Sequence, residues 1–146
     1  MLSIGTLARR TGTKVQTIRY YEQIGLMRAA ERSEGGQRRY RDADLDRLAF
    51  IRHSRELGFA LDAIRELLDL SDRPAASCGT ADALARRHLD GVERRIRRLE
   101  ALKRELVRMI GECAGGRVAD CRVIEVLRDH GECLSDHPKA EAAARP

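Results

Sequence analysis

Apolar positions along the chain fall into five helix-spaced runs separated mostly by glycines, with one stretch between the second and third that has no helical period. In the first run Ser3 is placed to cap a short helix in which Ile4, Leu7 and Ala8 share a face, and Gly12 is a left-handed stop. A second helix is expected from near Thr13 through KVQTIRYYEQIG to Gly25, with Val15, Ile18 and either Tyr21 or Glu22 facing inward. Two short helices joined by a tight turn read as a helix-turn-helix, whose second helix can lie in a major groove. Its outward side then presents Lys14, Gln16, Thr17, Arg19 and Tyr20.

The aperiodic stretch, LMRAAERSEGGQRRY at residues 26–40, carries Gly35 and Gly36 at a hairpin turn and predicts a two-stranded wing. Beyond it, Asp42 is expected to cap a third helix marked by Leu45, Leu48, Ala49 and Ile51 and stopped by Gly58. Leu61, Ile64, Leu67 and Leu68 mark a fourth. The fifth run is different in scale. From Thr80 to Glu112 there is no proline, and Leu84, Leu89, Val92, Ile96, Leu99, Leu102, Leu106 and Met109 or Ile110 recur at steps of three and four. Such a helix is about 50 Å long at roughly 1.5 Å per residue. Nothing else in the chain is long enough to cover its seam, so a second copy of the chain is the simplest partner.

Composition sharpens this outline. The chain of 146 residues has 3% aromatics and no Trp, so a modest core must be aliphatic. Its net charge of +5 is unevenly spread: residues 1–41 carry nine Lys/Arg against three acids, and residues 42–77 carry five against eight. A basic first segment ahead of an acidic one is the footprint of a terminal nucleic-acid-binding domain. Arg28, Arg32, Arg38 and Arg39 gather on the wing, where guanidiniums would grip phosphate oxygens beside the groove. The apolar runs are too short to span a membrane, and no arrangement of nucleophile, base and orienting group suggests an enzyme. Four cysteines without an apolar leader point to a reducing cytoplasm, where thiols serve as metal ligands or redox groups.

The motifs IGTLARRTG, TIRYYEQIGL and GGQRRY, with the LGF and ELL signals that follow, resemble the N-terminal domain of the MerR family of transcriptional regulators over residues 1 to about 70. The resemblance implies a mostly α protein that opens with a winged helix-turn-helix domain over 1–72; the apolar stripe adds a dimerisation helix over 79–112 forming an antiparallel coiled coil, the cysteines mark a metal-binding loop and short helix over 113–133, and low-complexity composition predicts a disordered tail over 134–146. It also implies that Lys14, Thr17, Arg19, Tyr20, Tyr21, Arg38, Arg39 and Tyr40 are on or near double-stranded promoter DNA, each subunit of a homodimer taking half of a palindrome. In this family the dimer represses a promoter whose elements are too far apart, and effector binding distorts the spacer so that RNA polymerase engages both.

The thiols fit that plan. Cys78 precedes the long helix and Cys113 follows it, so one chain cannot bring both to a single ion. In an antiparallel dimer the start of one helix lies beside the end of the other, and Cys78 of one subunit meets Cys113 and Cys121 of its partner. This layout resembles the soft-metal-sensing branch of the family. There, Cys78 in place of the serine usual in copper, silver and gold sensors implies a divalent ion, Cd(II), Pb(II), Zn(II) or Hg(II). A monovalent Cu(I), Ag(I) or Au(I) sensor and a thiol redox regulator are the alternatives. His130, Cys133 and His137 are candidates to complete the shell. His53 and His88, on helices, are expected to be surface or structural.

Overall fold

The computed structural model describes residues 1–113, 115–129 and 131. The expectations for His130, Cys133, His137 and the tail from residue 134 therefore lie outside the described residues. Six helices and one two-stranded hairpin are present among them: α1 (Ile4–Thr11), α2 (Val15–Gln23), β1 (Glu31–Arg32), β2 (Arg38–Arg39), α3 (Asp42–Glu56), α4 (Leu61–Ser71), α5 (Gly79–Gly111) and α6 (Arg122–Arg128), with a 3-10 turn at Val118–Asp120. Every element expected from the periodicity is found.

Two compact units divide the chain, Met1–His88 and Leu89–Pro146. In the first, Leu7, Ile18, Leu26, Tyr40, Leu48, Ile51 and Ile64 are fully buried and form one cluster that draws on α1, α2, the wing, α3 and α4. Ser3 caps α1 by accepting from the Thr6 amide, and Gly12 leaves it with φ 64°. The third helix begins one residue earlier than the sequence suggested. Arg41, not Asp42, stands at the cap, and the Asp44 carboxylate accepts the Arg41 amide at 2.8 Å. Asp42 instead lies in the first helical turn, where its charge still complements the helix dipole.

Three arginines from the later helices tie the helix-turn-helix down. Arg52 of α3 donates to the Thr11 carbonyl at 2.7 Å, Arg65 of α4 to the Ile24 carbonyl at 2.7 Å, and Arg47 of α3 to the Leu26 carbonyl at 2.8 Å. Each meets a carbonyl at or just past the C-terminal end of α1 or α2, where helices leave acceptors without an intrahelical donor. These guanidiniums are thus structural, although in sequence they look like part of the basic surface. His88, on the first part of α5, is similarly structural: its ring lies 2.6 Å from the Leu57 carbonyl and packs on Phe59 at 4.4 Å between centroids.

In the second unit the apolar stripe of α5 lies open. Leu89, Ile96, Leu99, Leu106 and Ile110 are all exposed, Leu99 at 58%, while Met109 and Val126 of α6 are buried. Gly91 sits inside the helix without ending it. Among the described residues, no helix is long and apolar enough to cross a membrane.

Candidate nucleic-acid interface and metal centre

The second helix of the helix-turn-helix follows a basic residue: Lys14 is its N-cap. Lys14, Gln16, Arg19 and Tyr20 are exposed and Thr17 half-buried, while Ile18 and Tyr21 are buried. The face turned away from the core therefore carries the amide, guanidinium, ammonium and hydroxyl groups that read base edges and hold phosphates.

Two of the residues expected near DNA are inside. Tyr21 is buried, its hydroxyl pushed above the ordinary phenol range chiefly by burial, against the opposing charge of Arg55. Tyr40 is fully buried and donates to Glu22 Oε1 at 2.6 Å. Burial, and then that hydrogen bond, raise its pKa well above that of free tyrosine. The physical reason is size: in an aromatic-poor chain these rings supply much of the volume that closes the core under the wing.

Glu22 is the residue that sequence reasoning passed over. Besides accepting from Tyr40, it pairs with Arg38 on β2 at 3.2 Å, so one carboxylate links α2 to the wing. Its signal was present in the pattern, which allowed Glu22 as an inward position; an acid at the rim of a basic face needs a nearby partner. The wing itself is antiparallel, with Glu31 opposite Arg39 and Arg32 opposite Arg38. Arg32 donates to the Gly36 carbonyl at 2.8 Å and braces the turn, and Gly36 takes φ 79°. Leu2 pairs with Tyr40 through two backbone hydrogen bonds of 2.7 and 2.8 Å, extending the hairpin by one bridge. Arg28 and Arg32 are exposed, Arg38 and Arg39 half-buried.

The thiols divide between the two units. Cys78 is exposed and lies one residue before α5. Cys113 and Cys121 are in the second unit, with Gly115 turning the intervening chain at φ 71°. Cys113 is within hydrogen-bonding reach of Cys121, which is the N-cap of α6. The backbone amides of Ile124 and Val123 at the start of α6, together with the Cys113 thiol, lower the pKa of Cys121 below that of an ordinary thiol against the opposing effect of burial. Two adjacent thiols, one biased toward thiolate, form a donor set suited to a soft cation. Among the described residues no three His, Cys, Asp or Glu side chains converge within the single chain.

Around this pair runs a chain of charges. Glu112 accepts from Arg122 at 2.6 Å and from Arg108 at 3.2 Å; Arg108 also donates to the buried Glu105, and Arg122 pairs with Glu125 at 3.2 Å. Arg122, then Arg108, hold the Glu112 carboxyl below its ordinary range.

A winged helix-turn-helix preceding a long helix with an open apolar seam and a thiol pair at its far end defines the class of DNA-binding transcriptional regulators with a separate sensing end. The chain belongs to the MerR family of helix-turn-helix regulatory proteins. Residues 2–71 match the family described as MerR HTH family regulatory protein, and residues 45–109 match the one described as MerR, DNA binding. The chain is 40% identical to the HTH-type transcriptional regulator ZntR of Escherichia coli, over 87% of this chain and 92% of the relative. It is also 40% identical to heavy metal-dependent transcription regulator 2 of Rhizobium meliloti, over 86% of each chain. Among solved structures, the transcription regulator PbrR691 of Ralstonia metallidurans in complex with lead(II) is 39% identical, with a TM-score of 0.76 over 87% of this chain and 99% of that one.

Proposed function

We propose that this chain is a metal-responsive transcriptional regulator that binds a palindromic operator as a homodimer and senses a divalent soft metal through Cys113, Cys121 and Cys78 of the partner subunit. The observation that carries the reading is the pairing of Cys113 with Cys121 at the start of α6, with Cys121 already biased toward thiolate. Its relatives include a heavy metal-dependent regulator and a regulator solved with lead(II), which supports the same assignment. The open seam of α5 supports the dimer, because an exposed stripe of Leu and Ile along a helix is covered in solution by another helix.

The division of labour follows from the residues. Lys14, Gln16, Thr17, Arg19 and Tyr20 face the major groove, and Arg28, Arg38 and Arg39 of the wing region hold flanking phosphates. Tyr21 and Tyr40 act from behind, fixing α2 and β2 in the arrangement the DNA meets. Cys113 and Cys121 lose their protons and present two thiolates from one chain. Cys113, Cys121 and Cys78 of the partner subunit would hold a Cd(II), Pb(II), Zn(II) or Hg(II) ion, which would supply a bridge between the subunits. The dimer then changes the relative setting of its DNA-binding domains and deforms the promoter spacer for RNA polymerase, so that activation comes from DNA distortion without release.

The test is competitive titration of the reduced protein with Cd(II), Pb(II), Zn(II), Hg(II) and Cu(I), read by transcription from an operator selected by enrichment with the protein. Divalent ions activate transcription while footprint occupancy stays within about threefold, and Cys78→Ser removes that response. Loss of operator occupancy on metal addition, or an undiminished divalent response in Cys78→Ser, refutes this account.

A further inference from the structure

Resting on the metal site proposed above, we infer that Glu112 and Arg122 form a clamp that sets the spacing of the two thiols before metal arrives, making both positioning residues for metal capture. The geometry is direct. Glu112 immediately precedes Cys113, Arg122 immediately follows Cys121, and their side chains meet at 2.6 Å. The clamp therefore closes the chain between the two sulfurs at both of its ends.

That chain needs closing. It contains Gly115 and Gly116, and its internal backbone hydrogen bonds among described residues are those of the 3-10 turn, Asp120 to the Arg117 carbonyl and Cys121 to the Val118 carbonyl. Glycines give such a segment many competing conformations, and only a fraction of them keep the thiols together. Glu112 is in turn fixed from the helix side. Arg108, one turn back on α5, donates to it at 3.2 Å and is itself held by Glu105, which is 4% exposed. Positional order passes from a buried carboxylate on α5 through Arg108, Glu112 and Arg122 to the first turn of α6, whose N-cap is Cys121. A network anchored in this way loses less conformational freedom on pairing than two free surface side chains.

The experiment titrates the full-length reduced dimer with Cd(II), read by the ultraviolet sulfur-to-metal charge-transfer band, for the wild type, Glu112→Gln, Arg122→Gln, the double variant and Arg122→Lys. Amide exchange at Val123 and Ile124 is measured in the metal-free proteins. Each Gln variant weakens Cd(II) binding about twofold to fivefold, the range expected for a partly exposed ion pair. Band intensity per bound ion, which counts the sulfurs, stays constant. The double variant loses no more than the worse single one, Arg122→Lys recovers part of the loss, and exchange at Val123 and Ile124 accelerates in both Gln variants. Equal affinity in all variants, or additive losses in the double variant, overturns the clamp while leaving the metal site standing. Absence of a charge-transfer band in the wild type overturns the site and the clamp together.

Discussion

At the scale of single residues, Gly12 shows how tightly the DNA-binding unit is specified. It holds φ 64°, and a Cβ built there falls 2.1 Å from Arg52 Nη1, the guanidinium nitrogen that donates to Thr11. Gly12→Ala is expected to lower stability by about 2 kcal/mol, combining the left-handed backbone penalty with a weakened hydrogen bond. Thermal melting followed by circular dichroism measures it. Tyr40→Phe keeps the ring volume but deletes the donor to Glu22, leaving a carboxylate with Arg38 alone; a loss of about 1 kcal/mol is expected in urea unfolding, with secondary structure intact. Arg19→Ala acts on binding without acting on folding. Operator affinity is expected to drop about tenfold with an unchanged melting temperature, and electrophoretic mobility shift against temperature scans separates the two. At Cys121 the depressed pKa has a definite sign: thiolate persists to lower pH than in free cysteine. The midpoint of its alkylation rate against pH therefore lies below that of free cysteine, and shifts upward in Cys113→Ala, which removes one of the contacts that lower it.

At the scale of elements, the apolar seam of α5 carries the clearest expectation. Ile96 and Leu99 are exposed in the single chain, so Ile96→Glu with Leu99→Glu leaves the N-terminal core untouched but places carboxylates where a second helix must pack. Sedimentation velocity is expected to show a monomer in place of the wild-type dimer. Helices and wing were legible in the sequence because caps, glycine stops and apolar spacing are local signals, and each helix reports its own buried face. The roles of Arg47, Arg52 and Arg65 were not legible, because each depends on which carbonyl a different helix brings within reach. The packing of Tyr21 and Tyr40 was only partly legible for a related reason: periodicity left Tyr21 open to the core, the family resemblance put both on or near DNA, and the fold buries both rings. In the sensing region, the sequence offered Cys113 and Cys121 as partners, but the charges that bracket them emerged only from the meeting of α6 with the end of α5.

For the whole molecule, function depends on one chain carrying a reader and a sensor that are built by different physics. The reader, Met1–His88, is a closed aliphatic core with its charge on the outside. In the second unit the buried residues among those described are Glu105, Met109 and Val126, and ion pairs join the end of α5 to α6 while the α5 stripe stays exposed. Raising salt is therefore expected to act twice: phosphate contacts weaken as counterions compete, and the ion pairs near the thiols are screened. The logarithm of operator affinity then falls linearly with the logarithm of salt concentration.

The guanidinium of Arg52 lying where a side chain at position 12 would begin also has an evolutionary meaning. Neither residue can change alone without cost, since a larger residue at 12 evicts the arginine and a lost arginine leaves the end of α1 open. In lineages descending from this chain the two positions should drift as a pair, a compensated exchange at one accompanying exchange at the other, although Gly12 ends α1 and Arg52 lies on α3, far apart in sequence.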